Sequence, residues 1–272
     1  MTAENEQRER RRGRTREASK RSSALPEQRP FAQPRLTHAP LTLLSDDELE
    51  SIHRGSLRVL RDVGLRVLDP ETRAVYASAG ADVDDQQVTF DPEMVEALIV
   101  TAPAEFTLHS WNPARSLRIG GDMLAFGTVG SAPNACDLDG GRRTGSRHDF
   151  RNFCRLTQML ESIHFVGGYP VEPTDVHASV RHLHASHDIL TLTDRGCPVY
   201  SLGRQRNLDV IEMVRIARGR TAEQMDAEPS VFTIVNTNSP LTLDVPMSHG
   251  IIEMARANQI TCVTPFTLAG AM

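Results

Sequence analysis

The stretch TCVTPFTLAGAM, from Thr261 to Met272, is a short β-prone run that ends at Pro265 and passes into an apolar loop with a glycine. Proline cannot donate a hydrogen bond to a strand ladder, so it is expected where a strand ends. The same arrangement occurs earlier in the segments IHFVGGYP (163–170), CPVYSLG (197–203) and VFTIVNTNSP (231–240). Blocks of helical length separate consecutive segments. Strands that alternate with helices in this way predict βα units and a parallel sheet.

The repeating units predict an α/β fold that forms the first half of a TIM (β/α)₈ barrel. The apolar runs place its strands at Ile163–Tyr169, Val199–Leu202, Val231–Asn236 and Thr261–Phe266. Helices are expected at Arg147–Ser162, Thr174–Thr193, Asn207–Gly219 and Asp244–Asn258. A doubly wound sheet would carry a GxGxxG turn after its first strand, and GGYPVE (167–172) is not one. No helix follows the fourth strand, so we expect the barrel to be truncated there.

The region before these units predicts a small α+β cap with a β-hairpin. Ser45 and Glu48 form a capping-box pattern that opens a helix over Asp46–Asp62. The remaining predicted elements are a strand at Leu65–Leu68, helices at Pro70–Ser78 and from Pro92, β segments at Phe106–Ser110, Ser116–Ile119 and Met123–Phe126, and a hairpin turn at Asp139–Gly141. The chain therefore divides into a disordered basic tail and linker (1–40), the cap (41–145) and the half-barrel (146–272).

The charge distribution separates the tail from the globular part. Residues 1–29 carry nine basic and five acidic side chains, a net charge of +4, which leaves −9 for the rest of the chain. The tail lacks apolar periodicity and cannot bury enough surface to offset its ordering entropy. Its charges are not interleaved with aromatic residues, so we expect no contact with nucleic acid.

Residue usage excludes several kinds of chemistry. Lysine occurs once, at Lys20 in the tail, which excludes lysine Schiff bases and Walker-type phosphate binding for the globular part. The four cysteines, at 136, 154, 197 and 262, form no CxxC pair and are expected to be free thiols in a reducing compartment. No GxSxG signature supports a hydrolase nucleophile. No stretch approaches transmembrane length, so we expect a cytoplasmic protein without membrane contact.

The candidate site lies at the carboxyl ends of the predicted strands, where barrel enzymes place their active sites. The predicted substrate-binding residues are Tyr169, Glu172, Tyr200, Asn236, Asn238 and Phe266. Their neighbours at the same ends are Ser201, Thr237, Ser239 and Thr267. Ring faces attract a cation and amides hold a polar group, so this set suits a small tertiary or quaternary amine. The alternative is that the two tyrosines only complete their strands as packing residues.

A second candidate site is a set of histidines in the first predicted barrel helix. His177, His184 and Asp188 would project from one side of a helix and could bind zinc or iron, as in a metal-dependent barrel lyase or hydrolase. Val180 and Leu183 already supply apolar residues for a core face of the same helix. Packed or exposed helix histidines are commoner than ligands, so we predict no metal.

Three longer stretches resemble a known family. They are FGTVGSAPNACDLDGGRRTGSRHDFRNFCRL (126–156), VNTNSPLTLD (235–244) and TPFTLAGAM (264–272), and VGLRVLDPETRAVYASAGADVD (63–84) fits the same pattern. In this order, from about Leu43 to the end, the chain resembles the N-terminal part of the trimethylamine methyltransferase family. This family comprises corrinoid-dependent amine demethylases and includes non-pyrrolysine glycine betaine methyltransferases.

The resemblance implies a TIM-barrel enzyme that moves a methyl group from a tertiary or quaternary methylamine to the Co(I) of a corrinoid. The corrinoid (cobalamin) would be carried by a separate corrinoid-binding protein, and the full-length enzyme is expected to be a homo-oligomer. The family's pyrrolysine lies in the second half of the barrel, so no catalytic residue can be assigned to this chain. We expect an incomplete enzyme, with a non-catalytic amine-binding remnant as the alternative. The sequence does not choose between trimethylamine and a betaine.

Overall fold

The computed structural model describes residues 27–238 and 240–264. The chain divides into two units, Met1–Pro30 and Phe31–Met272, and the described helices and strands lie in the second. No helix in these described ranges is long and apolar enough to cross a bilayer. The domain boundaries that the sequence predicts at residues 40 and 145 remain predictions.

The first elements of the cap follow the sequence prediction closely. Helix α1 covers Asp46–Asp62, and the Ser45 and Glu48 capping box is present. The chain then turns at Gly64, whose φ is +74° and where a Cβ would lie 2.1 Å from the Val88 carbonyl oxygen. Only glycine fits this turn, because other residues would be both strained and in collision.

A small mixed sheet completes this part of the cap. Strands β1 (Leu65–Val67), β2 (Asp82–Asp84) and β3 (Gln87–Thr89) pair antiparallel, and helices α2 (Pro70–Ser78) and α3 (Pro92–Ile99) pack around them. Strand β10 (Thr242–Leu243) pairs parallel to β1, so the sheet order is β10-β1-β3-β2. The prediction did not include this long-range pairing.

Two hairpins follow the cap sheet. Strands β4 (Glu105–Leu108) and β5 (Leu117–Gly120) form the first, and β6 (Asn134–Asp137) and β7 (Gly141–Thr144) form the second at the predicted turn. The prediction of a β segment at Met123–Phe126 is wrong. The Leu124 amide donates to the Pro34 carbonyl, so this segment pairs with the preceding linker and makes only an isolated bridge.

The second half of the chain contains a parallel sheet whose strands lie side by side in the order of the sequence. It consists of β8 (Cys197–Tyr200), β9 (Val231–Val235) and β11 (Ile260–Val263). The predicted first strand, Ile163–Tyr169, is not a regular strand. Within it Phe165 makes two isolated parallel bridges, to Gly127 and to Gly196. This confirms an α/β protein with a parallel sheet, and within the described ranges the sheet does not close into a barrel.

Helices surround this sheet. They are α4 (Arg147–Met159), α5 (Arg181–Leu192), α6 (Arg204–Arg218), α7 (Ala222–Ala227) and α8 (Val245–Arg256). Helix α5 begins seven residues later than its predicted start at Thr174. The Thr174 amide and hydroxyl both donate to the Gly145 carbonyl, which fixes that residue in a loop connection.

The two faces of the parallel sheet have different environments. Val231 and Val235 point into a core formed with α4, α5, α6 and α8. Phe232 points to the opposite face and packs against the β4–β5 hairpin. An apolar groove of about 230 Å³ lies on that face, lined by Phe106, Leu108, Ile119, Phe165, Phe232, Ile234, Ile260 and Cys262. The sheet is thus covered by helices on one face and only partly covered on the other.

Candidate functional site at the carboxyl ends of the parallel segments

A glycine-containing segment, residues 126–132, runs parallel to the extended segment 164–172. At its end, the Glu172 amide donates to the Ala132 carbonyl at 2.8 Å. Segment 164–172 in turn adjoins β8, so the three carboxyl ends meet at one edge of the sheet. Ligand sites in α/β proteins form at this edge.

Tyr200, the last residue of β8, joins these segments through its hydroxyl group. The hydroxyl accepts the Tyr169 amide N–H at 3.1 Å and is hydrogen-bonded to Ser131 Oγ. The Ser131 amide donates to the Tyr169 carbonyl at 2.8 Å. Ser131 has φ +61°, a left-handed conformation that is uncommon outside glycine. Such outliers concentrate at functional sites, so Ser131 joins Tyr200 as a candidate site residue.

The two predicted tyrosines have different roles in this structure. Tyr169 is only 3% exposed, with its ring centroid 4.2 Å from that of Tyr200 and 5.6 Å from that of Phe150. Burial raises the pKa of the Tyr169 hydroxyl above its usual range. Tyr200 is half-buried. Tyr169 therefore supports Tyr200 from the core, and Tyr200 is the member of the pair with accessible surface.

Two glycines let the parallel segments approach closely beneath Tyr200. A Cβ on Gly168 would lie 2.9 Å from Gly130 Cα and 3.4 Å from the Tyr200 hydroxyl oxygen. A Cβ on Gly130 would lie 3.3 Å from Gly168 Cα. Backbone atoms cannot rotate away as a side chain can, so both positions favour glycine for close approach.

Glu172 supplies the carboxylate at this edge. Burial raises the pKa of its carboxyl group, and the positive charges of Arg181 and Arg206 offset part of that effect. The Arg181 guanidinium lies 3.6 Å from the carboxylate oxygen. A partly buried carboxylate near an aromatic ring can attract a cationic ligand, which at Glu172 would share the carboxylate with Arg181.

The predicted asparagines lie past the carboxyl end of β9, each with a partner of its own. The Asn236 side-chain oxygen accepts a hydrogen bond from the Thr264 hydroxyl. Asn238 donates from Nδ2 to Asp244 Oδ2 at 2.9 Å. The structure thus brings Tyr169, Glu172 and Tyr200 together and ties the asparagines to adjacent loops. Phe266, with Ser239 and Thr267, lies outside the described residues.

The histidines and aspartate considered as an alternative metal set do not form a common face. His177 precedes α5 instead of lying on it, and its ring is hydrogen-bonded to Ser179. Asp188 is buried and accepts two hydrogen bonds from the Arg147 guanidinium, at 2.7 and 2.9 Å. The carboxylate is therefore already neutralised by a cation. The one-sided helix face assumed for His177, His184 and Asp188 does not exist, because the helix starts at Arg181.

Another carboxylate–histidine group is present among the described residues. Asp69, Glu71 and His249 have potential ligand atoms within 4.8 Å of one another. However, Glu71 accepts hydrogen bonds from both Arg204 and Arg256. Two guanidinium groups occupy the carboxylate that a metal ion would need, so this cluster is a salt-bridge network between α2, α6 and α8.

Comparison with known proteins agrees with the resemblance in the sequence. The family model "Trimethylamine methyltransferase (MTTB)" matches residues 10–272. The chain belongs to the trimethylamine methyltransferase family. The match includes segments 126–132 and 164–172, so the sheet edge that holds the candidate site lies within the part of the chain that the family model covers.

Individual relatives carry two substrate names. A glycine betaine methyltransferase of Desulfitobacterium hafniense (strain Y51) is 29% identical over 229 residues, which is 84% of this chain and 48% of the relative. A trimethylamine methyltransferase MttB of D. hafniense (strain DSM 10664 / DCB-2) is 27% identical over 230 residues, 84% of this chain and 46% of the relative. The trimethylamine methyltransferase MttB1 of Methanosarcina mazei is 24% identical over 244 residues, 86% and 49% of the two chains. The chain spans about half the length of the curated relatives it matches.

Ser131, Gly130 and Gly168 are site residues that sequence reasoning missed. Gly130 packs against Gly168 at the site, although it lies 38 residues away in the sequence. The run GTVGSA could have pointed to it, since isolated glycines in an extended segment often mark close backbone approach.

Proposed function

We propose that this chain takes part in methyl transfer from a tertiary or quaternary methylamine to the Co(I) of a corrinoid carried by a partner protein. Family membership and the names of the relatives support this reaction class. The observation in the fold that carries the proposal is the meeting of Tyr200, Ser131 and Glu172 at one sheet edge. These groups offer a ring, a hydroxyl and a carboxylate to a methylated cation.

The reaction requires precise placement more than acid–base chemistry. In the proposed reaction the methyl carbon would pass from nitrogen to the Co(I) of the partner's corrinoid, and the electron pair of the broken C–N bond would stay on nitrogen. A quaternary substrate loses its methyl group to give a neutral amine and needs no proton, whereas a tertiary amine must first be protonated or held as an adduct. The proposed task of Tyr200 and Glu172 is to hold the ammonium group so that one methyl carbon faces the corrinoid in line.

We also propose that the parallel segments are the first half of a (β/α)₈ barrel. The strands lie side by side in the order of the sequence, and helices pack on one face of the sheet. The opposite face carries the apolar groove, which is the surface that further strands of a barrel would cover. Relatives about twice as long have the length for those strands.

Binding of methylated cations tests the site. Calorimetric titrations of the chain with glycine betaine, trimethylammonium and tetramethylammonium should give affinities that Glu172→Gln and Tyr200→Ala both reduce at least about tenfold. Arg142→Ala, on the exposed strand β7, is the control and should leave them unchanged. A chain that binds none of these cations, or whose affinities ignore both substitutions, would contradict the proposed site.

Methyl transfer is then measured directly. The chain is incubated with reduced cob(I)alamin and each amine, and methylcobalamin and the demethylated amine are followed by absorbance and mass spectrometry. Formation of both products in equal amounts supports the enzymatic proposal. Binding without either product would favour the non-catalytic amine-binding alternative instead.

A further inference from the structure

Ser131 reaches Tyr200 in only one register of the segment that carries it. Segment 126–132 pairs parallel to segment 164–172 through an isolated bridge at Gly127 instead of a regular ladder. Strands rich in glycine hold their register weakly, and a slip of one residue turns every side chain to the other face. Such a slip would turn Ser131 away from Tyr200, so the site depends on a contact that fixes the register.

His164 binds both backbone groups of Phe126, at the amino end of that segment. The Phe126 amide donates to His164 Nδ1 at 2.8 Å, and the His164 amide donates to the Phe126 carbonyl at 2.7 Å. One residue thus holds the same partner through its backbone and through its ring. A slip of one residue would break both hydrogen bonds, so the two contacts together select a single register.

The ring of His164 is itself held in one orientation and one tautomer. Its other nitrogen, Nε2, lies 3.2 Å from the Ala32 carbonyl oxygen, which can only accept a hydrogen bond. Nε2 therefore carries the ring proton, and Nδ1, which accepts the Phe126 amide N–H, carries none. His164 is 1% exposed and its ring centroid lies 5.3 Å from that of Phe31, so water does not compete for either nitrogen.

The residues on either side of Ala32 fix its carbonyl group in place. The ring of Phe31 lies under the Arg115 guanidinium, whose carbon atom is 4.4 Å from the ring centroid. The side-chain amide of Gln33 donates to the Arg118 carbonyl at 3.0 Å and accepts the Arg118 amide N–H at 2.8 Å. The histidine ring therefore has a fixed partner on the side away from the segment.

The other end of the segment meets the candidate site. The Ser131 amide donates to the Tyr169 carbonyl at 2.8 Å, and the hydroxyl groups of Ser131 and Tyr200 are hydrogen-bonded. We propose that His164 is a positioning residue for this site, because its Nε2–H tautomer fixes segment 126–132 in the register that brings Ser131 to Tyr200. His164 does not touch the ligand itself, and its effect on binding rests on the function proposed above for Tyr200 and Ser131.

Two substitutions separate the contributions of the ring nitrogens. His164→Asn keeps an acceptor oxygen near the position of Nδ1, whereas His164→Gln places its amide near the position of Nε2 and leaves the Phe126 N–H without an acceptor. In calorimetric titrations with glycine betaine and tetramethylammonium, His164→Gln should bind at least about tenfold more weakly than wild type, because a buried donor loses its partner. His164→Asn should stay within about threefold of wild type.

A second buried histidine provides the matched control. His182→Asn removes the 2.8 Å hydrogen bond between His182 and Asp209, so it perturbs a buried ring without touching segment 126–132. Its affinity for the two cations should equal that of wild type. Equal affinities of His164→Asn and His164→Gln, or an equal loss in His182→Asn, would overturn the proposal.

Hydrogen exchange measures the register without any ligand. The Ser131 amide, five residues from Phe126, should exchange at least about tenfold faster in His164→Gln than in wild type or His164→Asn. Exchange at Ser131 that is the same in both variants would overturn the proposal. A wild type that binds no methylated cation would contradict the proposed function, and the exchange rates would still decide the role of His164.

Nitrogen NMR of the wild type tests the tautomer directly and requires no variant to fold. The ring proton of His164 should lie on Nε2, with Nδ1 unprotonated and hydrogen-bonded to the Phe126 amide. A proton on Nδ1 would exclude the hydrogen bond that selects the register and would overturn the proposal.

Discussion

Removal of the Tyr200 hydroxyl group should lower the stability of the fold by a measurable amount. In Tyr200→Phe the ring keeps its contact with Tyr169, at 4.2 Å between centroids, but the hydroxyl is lost. That hydroxyl is the acceptor for the Tyr169 amide N–H and the partner of Ser131 Oγ. Two hydrogen-bonding groups therefore lose their partner in one substitution.

The two losses differ in size because their surroundings differ. The Tyr169 amide belongs to a residue that is 3% exposed, and a buried donor without a partner costs about 1–3 kcal/mol. Ser131 is exposed, so water replaces its lost partner at little cost. We expect Tyr200→Phe to lower the free energy of unfolding by about 2 kcal/mol, and Ser131→Ala to lower it by about 0.5 kcal/mol.

Urea unfolding measures both values. The fluorescence of Trp111, the single tryptophan, reports on the fold because its indole N–H donates to the Thr193 carbonyl at 3.1 Å. Circular dichroism gives a second probe, and equal slopes against urea show that the same surface is exposed. The reasoning is refuted if Tyr200→Phe lies within about 0.5 kcal/mol of wild type, or if Ser131→Ala costs as much as Tyr200→Phe.

Further predictions concern charges and thiols. Arg147→Ala leaves the buried Asp188 carboxylate without its main partner and should lower the free energy of unfolding in urea by about 3 kcal/mol. Burial opposes ionisation of Asp188, but the hydrogen bonds from Arg147 outweigh it and lower the pKa of the carboxyl group. The stability that this ion pair contributes is therefore present above pH 3.8, the ordinary pKa, and is lost as the pH falls through the lower pKa of the folded protein. Burial raises the pKa of Glu172 above 4.5, so the wild type should lose stability as pH rises through the folded value, and a pH series should find that loss absent in Glu172→Gln. Burial raises the pKa of Cys154 and Cys197 to about 12, so a thiol reagent should label the exposed cysteines at once and these two only after unfolding.

Elements with local signals could be predicted from the sequence to within a residue or two. The helices at Asp46–Asp62 and Pro70–Ser78 agree because Ser45 and Asp69 cap them through side chains three residues from their partners. The sequence did not predict that segment 163–169 would be irregular and make only isolated bridges. Its partner is residues 126–132, some 38 positions earlier, as in the hydrogen bond that the His164 amide donates to the Phe126 carbonyl at 2.7 Å. Pairing between segments this far apart in the chain depends on the tertiary fold and leaves no local pattern in the sequence.

Some features of the candidate site could be predicted from the sequence and others could not. Tyr200 and Glu172 follow apolar runs, so position alone predicted that they share a sheet edge. The burial of Tyr169 depends on Phe150, which approaches from α4, and the role of Ser131 depends on a backbone angle of +61°. Neither feature has a sequence signature, since both arise from contacts between separate elements.

The cap sheet gives the loop after β9 a second fixed end. That loop leaves β9 at Asn236 and carries Asn238, and it then pairs as β10 with β1. The Arg66 amide donates to the Leu241 carbonyl at 2.8 Å, and the Leu68 amide donates to the Leu243 carbonyl at 3.0 Å. A loop held at both ends loses conformational freedom before any ligand arrives, which lowers the cost of ordering it at a site. The cap therefore fixes the position of the loop that carries the candidate residue Asn238, in addition to forming its own α+β core.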